Sequence, residues 1–449
     1  MDTKQLKQKI LDLAIRGKLV PQDPNDEPAS VLLERIRKEK EQLIASGKLK
    51  KTKSKTTDTP HYENVPFEIP ASWEWVRLGD ISNYGQTNHT DVDSISCADW
   101  VLELEDIEKD TAHILQVLQR KDRQISGVRN YFKKGQILYS KLRTYLNKVL
   151  VAPQNGFCTT EIIPFSCYGT IEHRFIANVL RSQYFVDYTT LCCYGCKMPR
   201  FSTEDAQKGL IPLPPLQEQK RIADSIVQWF ALIDEIEANK KDLQEYIKQT
   251  KSKVLDLAIH GKLVPQDPND EPATELLKRI NPHFTSCDTS HYENLPSGWC
   301  VCLLKDVAKT ISPREFQVLQ SEILENGKYP VISQSANYIE GYNNDEKKLR
   351  HHSSPIAIFG DHTRIVKYVE FDFIVGADGV KILLPSIDAK YFYYLVIFAA
   401  ENIDNRGYGR HFSYLSKFPM LVPPFEEQKR IVKKIDEVFS QLDKITAEL

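Results

Sequence analysis

An internal repeat is the feature that most constrains how this chain can fold. The stretch at 11–36, LDLAIRGKLVPQDPNDEPASVLLERI, returns at 255–280 as LDLAIHGKLVPQDPNDEPATELLKRI, 244 positions later. A second pair is PPLQEQKRI at 214–222 and PPFEEQKRI at 423–431, which lie 209 positions apart. Self-similarity of this kind indicates a chain built from two copies of one plan. Each copy then holds a repeated part and a region that differs.

The repeated segments carry a helical period. Between Ile222 and Leu257, eleven positions follow one another at alternating steps of four and three, and nine of them are apolar. The same pattern begins again at Ile431 and also appears near the N-terminus. This spacing is typical of a coiled-coil seam. The C-terminal and N-terminal stretches together match the central one, so the sequence predicts two long antiparallel coiled-coil helices in a circular, pseudo-twofold arrangement.

The regions that differ, about 75–213 and 305–422, are rich in aromatic and β-branched residues. Strands are predicted for runs such as GQILYSKL, KVLVA, PIAIFG, RIVKYVEF and KILLP. Helices packed on those strands are predicted for HRFIANVLRSQYFVDYTT and AKYFYYLVIFAAENI. Each region is therefore expected to form an α+β globule, and the fold class is α+β.

These patterns divide the chain into five segments. The predicted segments are an N-terminal helical segment with a linker at 1–60, a first globular domain at 61–215, a central helical region at 216–290, a second globular domain at 291–424 and a C-terminal helix at 425–449. The N-terminal segment is expected to complete the helical region that the C-terminal helix begins.

Charge is distributed unevenly along the chain. Lys and Arg number 59 and Asp and Glu 61, which excludes a uniformly basic coat for nucleic acid. Residues 120–148 nevertheless hold nine basic side chains and one acidic side chain, with aromatic residues between them. Such a cluster favours contact with phosphates, and a solvated basic face is the alternative. The basic run at 37–55 is predicted to be a flexible linker.

The second globule has a cluster of polar residues after a predicted strand. This cluster consists of Asp361, His362, Thr363 and Arg364. Arg can read guanine and Asp can accept a hydrogen bond from cytosine in the major groove. No His or Cys spacing here resembles a metal site. The CxxC formed by Cys193 and Cys196 lacks a second pair of soft ligands, so metal binding is not predicted.

Motifs of several enzyme classes are missing from the sequence. Each Gly-Lys pair is followed by Leu or Tyr rather than Ser or Thr, so there is no phosphate-binding GxxxxGK[ST] loop. No Asn or Asp precedes either Pro-Pro pair, as an amino-methyltransferase would require. We retain two alternatives, a single-chain site-specific DNA nuclease or methyltransferase and a coiled-coil scaffold with no DNA role. The charged N-terminus and the lack of a long apolar run predict a cytoplasmic protein that does not contact membranes.

Several long motifs together suggest a family. These motifs are SWEWVRLGDIS at 72–82, GQILYSKLRTYLNKVLVA at 135–152, GDHTRIVKYVEFDFIVGADGVKIL at 360–383 and the repeated helix starts and LDLAIxGKLVPQDPNDEPA segments. In them the chain resembles the DNA-specificity subunit of type I restriction-modification systems, over essentially its whole length. The resemblance implies two target-recognition domains, each reading half of a split DNA site. It also implies a subunit without catalytic activity that directs adenine methylation and restriction by its partners.

The resemblance further implies the partners and the contacts. The expected partners are double-stranded DNA, two methyltransferase (modification) subunits and restriction/translocase subunits. No cofactor is expected on this chain, whereas S-adenosylmethionine is expected on the methyltransferase subunit. The predicted DNA contacts are Tyr139, Lys141, Arg143, Lys148, Lys197 and Arg200 in the first domain, and Asp361, His362, Thr363, Arg364, Arg410 and His411 in the second. The run CCYGCKMPR at 192–200 departs from the loop usual in the family. No catalytic or metal-binding residue is predicted.

Overall fold

The repeated helical segments and the regions between them are distributed over two units of the chain. The structure, a computed structural model, describes residues 2–46, 65–287, 295–376, 379–407 and 409–449. Unit 1 is Met1–Asn239 and unit 2 is Lys240–Leu449. The helix Leu216–Ile259 contributes its first part to unit 1 and its last part to unit 2. Both units mix helices with sheets, which confirms the predicted α+β class.

Unit 1 contains seven of the helices in the described residues. They are α1 (Thr3–Ile15), α2 (Ala29–Ala45), α3 (Leu78–Ile81), α4 (His173–Arg181), α5 (Gln183–Cys192), α6 (Thr203–Lys208) and the first part of α7 (Leu216–Ile259). Its strands are β1 (Glu74–Arg77), β2 (Asn88–Asp91), β3 (Val101–Leu102), β4 (Val128–Phe132), β5 (Ile137–Ser140), β6 (Val149–Val151), β7 (Gly156–Cys158), β8 (Ile162–Phe165) and β9 (Leu210–Leu213).

The strands described in unit 1 form three small sheets. β1 pairs with β9, the order β2-β4-β7-β3 makes a second sheet, and β6-β5-β8 makes a third. β5 lies in the middle of the third sheet, antiparallel to both neighbours, and all four of its residues are buried. A strand that is buried on both faces carries apolar residues at successive positions. β5 accordingly begins with Ile137, Leu138 and Tyr139.

The N-terminal segment packs into the core of unit 1. Ile10 and Ile15 of α1 and Leu32 of α2 belong to the same buried cluster as Trp73 and Ile222. Thr3 donates a hydrogen bond to Glu237, and Lys7 forms an ion pair with Asp234. The partner of Lys7 precedes the partner of Thr3 in the sequence, so α1 is antiparallel to the first part of α7.

Unit 2 contains the last part of α7 and five further helices in the described residues. The five are α8 (Ala273–Ile280), α9 (Leu304–Val307), α10 (Ala389–Asn402), α11 (Phe412–Leu415) and α12 (Phe425–Glu448). Its strands are β10 (Cys300–Cys302), β11 (Ala308–Ile311), β12 (Tyr329–Ile332), β13 (Gly341–Asn343), β14 (Ile356–Gly360), β15 (Val366–Val369), β16 (Ile374–Val375), β17 (Val380–Pro385) and β18 (Met420–Val422).

The sheets of unit 2 follow a related plan. β10 pairs with β18, as β1 does with β9 in unit 1, and the other sheets have the orders β11-β17-β14-β15 and β13-β12-β16. β14 is fully buried and antiparallel to both β15 and β17. The apolar face of α10 covers this sheet, and Ile431 and Ile435 of α12 join the same core.

The repeated sequence builds the same hydrogen-bond network in both units. In unit 1, Glu218 at the start of α7 accepts from Trp73 Nε1 at 3.0 Å and from Gln22 Nε2 at 2.6 Å. In unit 2, Glu427 at the start of α12 accepts from Trp299 Nε1 at 3.0 Å and from Gln266 Nε2 at 3.2 Å. Burial raises the pKa of both carboxyl groups, and the hydrogen bonds oppose that rise.

Two further contacts of the repeat recur in each unit. Arg221 pairs with Asp26 and Arg430 pairs with Asp270, both at 2.5 Å. Lys7 pairs with Asp234 over the ring of Phe230, and Lys251 pairs with Asp443 over the ring of Phe439. The long sequence repeat therefore encodes one way of joining a long helix to a globule, used twice.

Most predicted elements form, with two differences. The strands predicted from the five apolar runs are β5, β6, β14, β15 and β17. The helix predicted over 173–190 is instead split into α4 and α5 at Ser182, whose extended backbone ends one helix and whose hydroxyl caps the next. The run at 37–55 was predicted to be a linker, but 37–45 belong to α2, and Lys40 donates to two main-chain carbonyls. Residues 47–55 lie outside the described residues.

Among the described residues, no helix has both the length and the apolar character needed to cross a membrane.

Candidate nucleic-acid interface

Two loops meet beyond the central buried strand of each unit. The first loop follows β5 in unit 1 (141–148) and β14 in unit 2 (361–365). The second loop follows α5 in unit 1 (193–200) and α10 in unit 2, where its described residues are 404–407 and 409–410. β5 lies between the antiparallel strands β6 and β8, and β14 lies between the antiparallel strands β15 and β17. In each unit the first loop connects the central strand to the next strand of the chain, so the two first loops occupy equivalent places. We call each pair of loops a loop junction.

The same main-chain hydrogen bond joins the two loops of each junction. Phe201 N donates to Lys141 O at 2.8 Å in unit 1, and His411 N donates to Asp361 O at 2.8 Å in unit 2. Phe201 and His411 are buried, and each directly follows an arginine at the end of its second loop. The junctions therefore bring together the candidate contacts that the sequence placed in separate stretches of each domain.

Arg143 ties the first loop of unit 1 to the second. Its N–H donates to Pro199 O at 2.8 Å, and its Nη2 donates to Lys197 O at 3.3 Å. Its φ is 52°, a left-handed conformation that residues other than glycine seldom adopt. The contacts to the second loop hold Arg143 in this conformation and restrict its guanidinium.

The second loop of unit 1 is a small hairpin. Tyr194 and Arg200 pair through two main-chain hydrogen bonds of 3.0 and 2.9 Å. Gly195 opens the turn with φ of 93°, which favours glycine. Cys196, Lys197 and Met198 at the tip are exposed. The hairpin therefore presents Lys197, as predicted, next to apolar side chains.

Two predicted cations of unit 1 are partly engaged within the protein. Arg200 forms an ion pair with Glu161 at 2.9 Å, and that partner raises the pKa of the guanidinium. Lys148 donates from Nζ to Leu104 O at 2.6 Å, and burial lowers the pKa of its ammonium group. Lys141 is half-buried at the base of the junction. All three lie at or near the junction, and Lys148 has the fewest donors left for a ligand.

Tyr139 lies in the core, which does not fit its prediction as a DNA contact. Its ring lies 6.1 to 6.5 Å from those of Tyr84, Phe185 and Phe201, and burial raises the pKa of its hydroxyl. The sequence suggested an exposed face because Tyr139 is close to several lysines. Since β5 is covered on both faces, no side chain of that strand reaches the surface.

The basic cluster at 120–148 is divided between the surface and the interior. Arg123 makes two hydrogen bonds to the buried Asp106, at 2.6 and 2.7 Å. Arg129 pairs with Glu103 at 2.9 Å. Lys133 and Lys134 are exposed at the turn before β5, as is Lys121 in its own loop. Only part of the cluster is therefore available to phosphates.

Asp361 and His411 hold the junction of unit 2 together from inside. Both are buried. The Asp361 carboxylate accepts from Phe412 N at 2.7 Å and lies 3.7 Å from Lys381 Nζ. His411 Nδ1 lies 2.9 Å from Asp361 O, and its Nε2 accepts from Arg406 N at 3.2 Å. Their burial does not fit direct contact with DNA, and we assign them a structural role at the base of the loops.

Arg364 is also directed toward the protein. Its Nη1 donates to Ala400 O and Ile403 O, each at 3.2 Å, at the end of α10. A cation is favourable at a helix C-terminus, where carbonyl groups lack helical partners. Arg364 has φ of 60°, like the left-handed Arg143 in unit 1. Both arginines connect the first loop to the chain that forms or precedes the second loop.

The remaining predicted residues of unit 2 lie at the surface side of the junction. Thr363 and Arg410 are exposed, and His362 is half-buried with its Nδ1 3.2 Å from Gly409 O. The side-chain Oε1 of Gln334 accepts from His362 N at 3.1 Å, and its main-chain O accepts from Thr363 Oγ1 at 2.7 Å. Sequence reasoning missed Gln334, as it missed Glu161 in unit 1. Neither carries a motif, and both are defined only by their neighbours in space.

Within the described ranges, no group of three or more His, Cys, Asp or Glu side chains is arranged to hold a metal ion. The cysteines near the unit 1 junction are free thiols, of which Cys196 is exposed and Cys192 and Cys193 are half-buried.

Comparison with known proteins identifies the family. The model of the type I restriction modification DNA specificity domain matches residues 70–245 and 296–449, one match in each half of the chain. The type I restriction enzyme EcoAI specificity subunit of Escherichia coli is 31% identical over 384 residues, 70% of this chain and 64% of that protein. The EcoEI specificity subunit of Escherichia coli is 30% identical over 329 residues, 62% of this chain and 54% of that protein. The chain thus spans somewhat over half the length of these relatives.

Two solved structures share the fold. The HsdS subunit from Thermoanaerobacter tengcongensis aligns with a TM-score of 0.50 at 18% identity, over 85% of this chain and 93% of the other. A chain from a structure on assembly and conformational transition of the type I R-M system aligns with a TM-score of 0.58 at 18% identity, over 85% and 94%. With both halves matching the family model, the chain belongs to the family of type I restriction-modification DNA specificity proteins.

Proposed function

We propose that this chain is the sequence-specific DNA-binding specificity subunit of a type I restriction-modification complex. In this role it recognises a bipartite DNA target and directs adenine methylation and restriction by partner subunits. The observation that carries the proposal is the loop junction. Each unit has one, built on equivalent strands and closed by the same 2.8 Å hydrogen bond, but with different exposed side chains.

Each junction has the chemistry to read one half of a split target. In unit 1, Lys141, Arg143 and Lys197 supply cations. In unit 2, Thr363 and Arg410 are exposed beside the half-buried His362. Contacts to phosphates position a protein on the duplex, and contacts to base edges select the sequence. Since the exposed side chains differ, the two half-sites are expected to differ as well.

The long helix offers a surface for the modification subunits. Trp229, Leu232 and Ile236 are exposed along one face of the part of α7 that belongs to unit 1. Exposed apolar groups at helical spacing are typical of a surface that binds another protein. We propose two methyltransferase subunits and the restriction/translocase subunits as partners. S-adenosylmethionine would bind to the methyltransferase subunit, where methyl transfer occurs, and the complex would act on double-stranded DNA in the cytoplasm.

Mapping of N6-methyladenine in the genome tests the proposal. Cells that carry the gene should show a methylated bipartite motif that is absent after deletion and returns with a plasmid copy. The variant Arg410→Ala should broaden the methylated motif in one half, and Lys197→Ala should broaden it in the other half. Lys278→Ala, in α8 and outside both junctions, is the matched control and should leave the motif unchanged.

Two results would contradict the proposal. One is a methylation pattern that does not change when the gene is deleted or restored. The other is cleavage or methylation of DNA by the purified chain alone, which would place catalysis on this chain.

A further inference from the structure

The hairpin tip in unit 1 exposes apolar side chains among cations. Tyr194 is 60% exposed and Met198 is 47% exposed, on either side of the exposed Lys197. Tyr145, in the adjacent first loop, is 51% exposed. About half of each of these side chains stays in contact with water, and that exposed apolar surface contributes nothing to the stability of the hairpin. Their position is better explained by a ligand that covers them.

The charge around the tip indicates what kind of ligand this is. The first and second loops of unit 1, 141–148 and 193–200, contain five basic residues and no acidic residue. Arg143 lies beside the hairpin and Lys197 lies within its tip, whereas Arg200 at the base is paired with Glu161. An apolar tip surrounded by cations is complementary to a surface on which anions border an apolar group. The major groove of DNA offers this arrangement, because the C5-methyl group of thymine lies between the two phosphate backbones.

The hairpin is held firmly enough to select a base. Two main-chain hydrogen bonds fix Tyr194 against Arg200, and the Arg143 main chain and guanidinium fix Pro199 and Lys197. Residues 195–199 project beyond the pair formed by Tyr194 and Arg200, and Tyr194 lies at the base of this tip. A short tip on a fixed base can place a side chain at one position in a groove, as direct readout requires.

We propose that Met198 and Tyr194 are specificity-determining residues that contact the C5-methyl group of thymine in the half-site read by unit 1. This inference rests on the proposed function and adds which chemical group of a base is contacted. The contact is apolar, so it selects thymine over cytosine and uracil without a hydrogen bond. In unit 2 the described residues of the second loop include Asp404, Asn405, Arg406 and Arg410, which are polar, and the same preference is not expected there.

Replacement of thymine by deoxyuridine tests the proposal, because it removes only the methyl group. The probes are duplexes that carry the mapped target with one thymine at a time replaced by deoxyuridine. They are bound to the full chain assembled with its modification subunits. For the wild type, affinity should fall about fourfold at one or two positions of the unit 1 half-site, the factor expected when one methyl-sized group leaves a contact. No position in the other half-site should respond.

Variants then assign the effect to the hairpin. Met198→Ala and Tyr194→Ala should each weaken binding to the thymine duplex and should show little further loss with deoxyuridine at the sensitive position. Val117→Ala is the matched control, because Val117 is an exposed apolar residue of unit 1 outside both loops. It should keep the full response to deoxyuridine. Tyr194 and Met198 are both exposed, and alanine keeps the main-chain hydrogen bonds of Tyr194, so the variants are expected to fold.

Several outcomes would overturn the inference while the proposed function stands. They are specific binding with no response to deoxyuridine in the unit 1 half-site, an equal response in the wild type and both tip variants, or a half-site without thymine. Loss of subunit assembly in the tip variants would instead indicate that a protein covers the tip. If the wild-type complex binds no specific target, both the inference and the proposed function fail.

Discussion

The two units share a frame and differ in the loops that the frame supports. In both, a glutamate at the start of a long helix accepts from a tryptophan and a glutamine, and an arginine nearby pairs with an aspartate. Beyond β5 and β14, the loops begin with Lys141 in unit 1 and with the buried Asp361 in unit 2. The repeat therefore sets where a junction lies, whereas the divergent regions set its chemistry.

The two loops of each junction are nevertheless linked by an arginine in a similar way. Each first loop has an arginine with left-handed backbone, Arg143 or Arg364, whose guanidinium donates to main-chain carbonyls in or just before the second loop. A guanidinium that links the first loop to the chain in or just before the second loop holds the two loops in a single arrangement. We therefore interpret both arginines as anchors of the junction, whereas the sequence predicted a DNA contact for Arg143 and a base contact for Arg364.

The largest expected effect is on the shared frame. Glu218→Ala and Glu427→Ala each remove a buried acceptor and leave a tryptophan N–H without its partner. Each should lower the free energy of unfolding of its own unit by about 3 kcal/mol, and by similar amounts because the contacts match. Hydrogen exchange of peptides that contain Trp73 and Trp299 measures the two units separately. Glu275→Ala, which removes an exposed ion pair, should have little effect. A strong effect of Glu218→Ala confined to unit 2 would contradict the shared frame.

A smaller effect is expected from the exposed arginine of the unit 2 junction. Arg410→Ala should reduce discrimination in one half-site by about 2 kcal/mol, the cost of a lost base contact, and leave the other half unchanged. Competition binding with duplexes altered in one half at a time measures this. Equal loss of discrimination in both half-sites would contradict the assignment of one half-site to each unit.

The anchor role of Arg364 predicts a change in the free protein. Arg364→Ala should cost about 1 kcal/mol of local stability, because two carbonyls at the end of α10 lose a cationic donor. Main-chain amides from Ile403 to His411 should exchange hydrogen faster without any DNA present. Thr363→Ala, which leaves the guanidinium contacts intact, should not speed exchange at Ile403. If exchange is unchanged in Arg364→Ala, the side chain does not anchor the loop.

The smallest effect is expected from the exposed lysines before β5. Lys133→Ala and Lys134→Ala should weaken binding to all duplexes evenly. Each should reduce the slope of log affinity against log salt by about 0.9 if that lysine neutralises one phosphate. Titration at several salt concentrations measures the slope. A change in sequence preference would show instead that one of these lysines contacts bases.

How far the sequence was predictive depends on the type of interaction. Buried strands and long helices were predictable, because β5, β14 and α7 carry apolar runs or periods that do not depend on distant residues. The split at Ser182 was missed because the apolar pattern continues through it, while the extended backbone of this residue ends α4 and its hydroxyl caps α5. Tyr139 was misplaced because its lysine neighbours in the sequence suggested a surface position, whereas β5 is buried on both faces.

By itself the sequence determined the duplicated plan, the two α+β globules, the long helices and the stretches from which the loop residues come. Only the tertiary structure decided which of those residues face outward. Asp361, His411 and Tyr139 are buried, Arg143 and Arg364 are directed to carbonyls, and Lys197 and Arg410 are exposed. The physical reason is that helical and strand periods are local properties of the chain. The exposure of a loop side chain depends instead on hydrogen bonds to partners such as Phe412 and Ala400, which lie tens of residues away.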